Sequence, residues 1–109
     1  MAPNVSVKDR IEALGQELPA VIGAFGQLHE AAAGDGALDA KTKRLVMVGI
    51  SISQRCDSCI RTHVGMAVEL GATRAEILDA AGAAILMGGG PAAATTATVV
   101  VDVLNELGA

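Results

Sequence analysis

Apolar positions recur at helical spacing along most of the chain, and the breaks between these stretches fall at glycine, proline and short polar residues. A short amphipathic stretch over residues 7–18 comes first. Pro19 suits the first position of a second helix reaching to about Ala33, because its ring presets the helical φ where no N–H is needed. Gly34, Asp35 and Gly36 read as a turn. Asp39 is a good N-cap, with Leu38 before it as a hydrophobic staple, for a third helix over residues 40–54. Inside it Val46, Val48, Ile50 and Ile52 alternate with Met47, Gly49, Ser51 and Ser53, which is the period of a strand. Residues 95–101 share that ambiguity. Two isolated strands make no convincing sheet, so length and capping decide for helix.

The later boundaries are sharper. A fourth helix over residues 56–70 ends at Gly71, a natural C′ residue. Thr73 and Glu76 form a capping box that opens a fifth helix through Met87. Gly88, Gly89 and Gly90 break it, and Pro91 opens a last helix that closes at Gly108. A glycine run before a helix could cradle an anion. This one lacks the Lys-Ser/Thr pair of a phosphate loop and a strand before it, so a tight interhelical turn is favoured. Residues 92–104 are apolar almost all round, which predicts a helix buried on every side, in a chain this small between subunits.

Composition narrows the function classes. The 109 residues suit a single domain. Hydrophobic residues are 51% and charged ones 18%, which excludes disorder. One Phe and no Trp or Tyr exclude a base-stacking platform. With 8 basic and 12 acidic residues, a net charge of -4 and no basic cluster, no nucleic-acid partner is expected. No apolar run is long enough for a membrane span, and residues 1–10 lack the plan of a secretory signal. The expected location is therefore cytoplasmic. Mean hydropathy is +0.47, a surplus of apolar surface that a subunit interface would absorb.

Both cysteines lie together at Cys56-Asp57-Ser58-Cys59, and His63 follows four residues later. On a helix these three fall within about 60° of arc, on the side shared by Ile60, Val64, Met66, Ala67 and Leu70. Asp57 and Arg61 fall on the outer side at ion-pair spacing. A Cys-x-x-Cys pair at a helix start can close a small disulfide, and the helix N-terminus favours a thiolate. His63 is placed to accept a thiol proton, so Cys59 would attack and Cys56 would resolve. The alternatives are inert cysteines packed as small hydrophobes and a metal site. The second is disfavoured because closed zinc sites want four ligands, and the other histidine, His29, belongs to a different helix. No cofactor is implied. The run Lys41, Lys43 and Arg44 reads as a solvated first turn.

At Cys56-x-x-Cys59-x-x-x-His63 the chain resembles the AhpD-like proteins, also called the carboxymuconolactone decarboxylase family. The likeness runs from about Pro19 to Gly90. It rests also on Phe25, the stretch Gly36-Ala37-Leu38-Asp39-Ala40-Lys41-Thr42-Lys43, the stretch Gly71-Ala72-Thr73-Arg74-Ala75-Glu76-Ile77, and Leu86-Met87-Gly88-Gly89-Gly90-Pro91. The resemblance implies an all-α bundle assembled into an intertwined homo-oligomer, a trimer or hexamer. It implies a thiol peroxidase or disulfide reductase acting on hydrogen peroxide or organic hydroperoxides. Cys59 would attack, Cys56 would close the disulfide and His63 would serve a proton relay. An external dithiol, in the best-known members a lipoylated protein, would re-reduce the pair. The decarboxylase branch, a lyase acting on a carboxylated lactone, typically lacks the Cys-x-x-Cys pair. Two positions depart from the family pattern: Arg44 stands where a glutamate usually orients the relay, and Ser58 where some members have a histidine. Arginine cannot act as a base, although its charge would lower a thiol pKa. Glu30 or Asp39 are the carboxylates that could substitute.

Overall fold

In the computed structural model the described residues, 6–109, are helical with no strand among them. They fall into two compact units, one ending at Asp35 and the other comprising Gly36–Ala109. The first holds α1 (Val7–Glu17) and α2 (Pro19–Ala33), packed on each other. Ser6 caps α1 by accepting the Asp9 N–H at 3.1 Å, and Pro19 sits at the start of α2. Neither helix carries a large buried residue of its own: Ala33 is the one buried side chain among them.

The second unit holds α3 (Ala40–Ser53), α4 (Asp57–Glu69), α5 (Arg74–Gly88) and a last helical run of α6 (Gly90–Thr95), a π turn (Thr96–Val100) and α7 (Val101–Glu106). α3 packs on both α4 and α5, and the last run packs against α4 and α5. The alternation in the third segment resolves as helix. Arg44, Val48, Ser51 and Ile52 are buried at steps of four, three and one, while Val46 and Ile50 are half exposed. The core joins Val48 and Ile52 of α3 to Ile60 and Val64 of α4, Ile77 of α5 and Leu104 of α7, each fully buried. Alanines at positions 67, 81, 84 and 92 let the helices approach closely without any aromatic filler.

Caps fix the ends. The Asp39 carboxylate accepts the Thr42 N–H at 2.7 Å. Thr73 and Glu76 make the expected box, with bonds of 3.1 and 2.9 Å. Gly71, with φ 91°, ends α4: its N–H bonds to Val68 and that of Ala72 to Ala67, the paired bonds of a Schellman turn. The glycine break is narrower than expected. Gly88 and Gly90 are helical, and Gly89 alone departs, with φ 69° and ψ -148°. Gly88 is required for another reason, since a Cβ there would lie 2.9 Å from the Cβ of Ala92.

Within one chain the last run is not buried on every side: Ala94, Ala97 and Thr98 are exposed. Its helical ladder is also interrupted, because the Val101 N–H reaches back five residues to the Thr96 carbonyl. The hydroxyls of Thr96 and Thr98 donate to the carbonyls of Ala92 and Ala94 at 2.9 and 2.8 Å, a bonding pattern that bends helices. No helix of the described residues is long and apolar enough to cross a membrane.

Candidate active site

The end of α3 sets the position of Cys56. The Arg55 N–H bonds to the Ile52 carbonyl at 3.0 Å and the Cys56 N–H to the Ser51 carbonyl at 3.1 Å. This is again a Schellman turn, and it requires a left-handed residue, normally glycine. Here Arg55 takes that conformation, with φ 53°, at a cost of about 1–2 kcal/mol. Cys56 thus ends one helix turn and begins the next. It is the N-cap of α4, and its Sγ accepts the Cys59 N–H at 3.2 Å. Sulfur occupies the place that a serine or aspartate oxygen usually holds.

Cys56 and Cys59 are joined by a disulfide, with their Cα atoms 5.2 Å apart. Both residues are half-buried, and Ser58 Oγ lies 3.6 Å from the Cys56 sulfur. His63, also half-buried, sits one turn beyond Cys59 on the same face of α4. The three expected residues therefore lie along one face of α4, from its N-cap to its middle turn. Asp57 and Arg61 lie outward and pair at 2.7 Å, as their spacing predicts, and Arg61 also reaches Glu106 of α7 at 3.3 Å.

Arg44 is the residue that the sequence reading misplaced. It is not part of a solvated turn: it is 3% exposed, and its Nη1 lies 3.0 Å from Nδ1 of His63. The reason is its register. Position 44 precedes Val48 by one turn and Ile52 by two, so it points where they point. Burial pushes its guanidinium down from the ordinary value, but a guanidinium stays charged inside proteins. The site therefore holds a fixed positive charge against the histidine ring. Lys41 leaves the same turn in another direction and pairs with Glu76 of α5 at 2.9 Å. Asp39 is occupied as the α3 cap, and hydrogen bonds from Thr42 hold its carboxyl below the ordinary value. Among the described residues no three His, Cys, Asp or Glu side chains cluster as metal ligands would.

Known proteins share this arrangement of helices. The family profile of the carboxymuconolactone decarboxylase family matches residues 19–102. A carboxymuconolactone decarboxylase family protein from Legionella pneumophila, crystallised in the apo form, superposes with a TM-score of 0.86 at 35% identity, covering 92% of this chain and 88% of that one. A family protein from Thermotoga maritima, for which an antioxidative role has been suggested, superposes with a TM-score of 0.72 at 36% identity, covering 78% of this chain and 87% of that one. An uncharacterized protein of Cupriavidus necator is 39% identical over 67 residues, 62% of this chain and 59% of that protein, so the chain spans less than two-thirds of that relative. With most of its length matched by the family profile, and its helices laid out as in these structures, the chain belongs to the carboxymuconolactone decarboxylase family.

Proposed function

We propose that the chain is a thiol peroxidase and disulfide reductase that works through Cys56 and Cys59. The observation that carries the reading is the Cys56–Cys59 disulfide at the N-terminus of α4, with His63 one turn away. The antioxidative role suggested for the Thermotoga maritima relative supports it.

The steps balance as follows. The Cys59 thiolate attacks one oxygen of the hydroperoxide; an S–O bond forms, the O–O bond breaks, and an alkoxide leaves to take a proton. Cys59 is then a sulfenic acid. The Cys56 thiolate attacks its sulfur, hydroxide leaves as water after protonation, and the disulfide closes. A dithiol returns two electrons by thiol–disulfide exchange. The N-cap suits Cys56 to the resolving role, because an N–H aimed at its sulfur favours the thiolate in both directions of exchange. His63 assists at the reacting sulfur. The reductant is an external dithiol of the lipoyl type, and the setting is the cytoplasm, where thiols are kept reduced.

The lyase reading would use Arg44 to hold a substrate carboxylate. Its burial and its contact with His63 weigh against that role. We also propose that the protein acts as a homo-oligomer, a trimer or hexamer. Leu86 and Met87 at the end of α5 are 83% and 85% exposed, and Val46, Ile50 and Met87 line an open apolar trough between α3 and α5. Further copies would cover that surface.

Hydroperoxide consumption with reduced lipoyl dithiol as the electron source tests the reading. The wild-type protein is expected to sustain turnover and Cys59→Ser to abolish it. Turnover that survives in Cys59→Ser would overturn the assignment.

A further inference from the structure

Two donors converge on one sulfur at the start of α4. The Cys59 N–H reaches Cys56 Sγ at 3.2 Å, and Ser58 Oγ lies 3.6 Å from the same atom. Sulfur is larger than oxygen, so its hydrogen bonds are longer. The direction of the second contact follows from the state of the sulfur. Neither a disulfide sulfur nor a thiolate carries a proton, so in both states the sulfur accepts and the Ser58 hydroxyl donates. The two acceptors are unequal. A thiolate carries a full charge and holds a donor more strongly than a neutral disulfide sulfur does. Both donors therefore favour the state in which Cys56 is released. Ser58 is exposed, so its hydroxyl can be removed without opening the core.

We propose that Ser58 is a positioning residue for Cys56, whose hydroxyl holds the Cys56 thiolate and makes the Cys56–Cys59 pair easier to reduce. Its consequence for turnover rests on the peroxidase reading, but its test does not. In exchange with an external dithiol an S–S bond breaks in the protein and another forms in the reductant. Two electrons enter the protein. One thiol proton passes to Cys59 and the other to solvent, because Cys56 is left as the thiolate. A hydrogen bond to that thiolate lowers the thiol pKa and stabilises the reduced pair. Charged groups also surround this end of α4. Arg55 and Asp57 flank Cys56 in the chain, Asp57 pairs with Arg61, and Arg61 pairs with Glu106 of α7. Arg44 of α3 pairs with His63 farther along α4. Ser58 is neutral, so replacing it by a neutral residue leaves all these charges in place.

The test reads each sulfur separately. Cys59→Ser leaves Cys56 as the only thiol of the chain and keeps the backbone N–H that caps it. The rate of alkylation by iodoacetamide against pH then gives the midpoint at which Cys56 ionises. Adding Ser58→Ala is expected to raise that midpoint by roughly 0.7, a loss of about fivefold in thiolate stability, the effect of one ordinary hydrogen bond. Ser58→Thr keeps a hydroxyl and is expected to recover most of it. In the Cys56→Ser background Ser58→Ala is expected to move the Cys59 midpoint much less. A second readout uses both cysteines. Equilibrated with dihydrolipoamide and lipoamide at a pH above the Cys56 midpoint, Ser58→Ala is expected to shift the pair toward the disulfide by about fivefold, or ~20 mV in potential. An unchanged Cys56 midpoint in Ser58→Ala, or an equal shift at Cys59, overturns the inference. Peroxide turnover without these shifts defeats this inference alone. The shifts without peroxide turnover defeat the peroxidase reading alone.

Discussion

Removing the His63 ring separates its structural role from its chemical one. In His63→Ala the Nη1 donor of Arg44, a residue only 3% exposed, loses the acceptor that lies 3.0 Å away. Leaving a buried donor without its acceptor costs about 1–3 kcal/mol, with charged groups toward the upper end. His63 itself is half-buried, so water can enter from the ring side, and a value near 2 kcal/mol (~2) is expected from that range. With a urea dependence of roughly 2 kcal/mol per molar for a small protein, the unfolding midpoint should fall by about 1 M. The scans must be run at one protein concentration, because association would shift the midpoint by mass action. His63→Asn is the control. Its Oδ1 can stand where Nδ1 stood and accept from Arg44, so it is expected to recover most of the midpoint while losing the imidazole and with it the proposed peroxide turnover. Two results would refute the reasoning: an Ala variant as stable as wild type, or an Asn variant as unstable as the Ala one.

Three further outcomes are expected. Cys56→Ser keeps a good helix cap, since serine is among the preferred N-caps, and should leave Cys59 as a sulfenic acid that a carbon nucleophile such as dimedone labels after peroxide treatment. Met87→Glu should lower the molar mass measured by light scattering, because it puts a charge on an 85% exposed apolar side chain that the proposed assembly covers. Acid should loosen the starts of α3 and α5. The Asp39 carboxyl is held below its ordinary value by hydrogen bonds from Thr42, and that of Glu76 by the Thr73 N–H and then Lys41. A carboxyl lowered in the folded state stabilises above its unfolded pKa, near 4 (~4), and that contribution is lost as pH falls through the lowered value. Asp39→Asn and Glu76→Gln keep the caps without the charge, so the double variant should show a flatter urea midpoint between pH 5 and 3 (about the carboxylate range) than wild type.

The helix ends were legible where one residue type answers one backbone need. Gly71 and Gly108 supply positive φ at Schellman turns, and Asp39 and Thr73 supply capping oxygens. Arg55 makes the same turn as Gly71 and gives no such signal, because its left-handed backbone is imposed by α3 and α4 packing on each other. The same holds for the cap at Cys56, since cysteine is not among the usual capping residues. The grouping of Cys56, Cys59 and His63 followed from spacing on one helix, which is local information. Arg44 did not, because its partner lies nineteen residues away on another helix. Its neighbours Lys41 and Lys43 suggested a solvated turn, yet the steps of four and eight to Val48 and Ile52 were a sign that it shared the buried stripe. The final helix offered no phase at all: an apolar surface on every side predicts neither which face is exposed nor where the ladder slips into a π turn.

The account rests on Cys56 and Cys59 exchanging electrons with peroxide. Intact mass spectrometry of the reduced protein, before and after one equivalent of hydrogen peroxide, tests this most directly. The account predicts the loss of two hydrogens in wild type and no such loss in Cys56→Ser or Cys59→Ser. An unchanged wild-type mass, or a stable gain of oxygen in place of the disulfide, would contradict it.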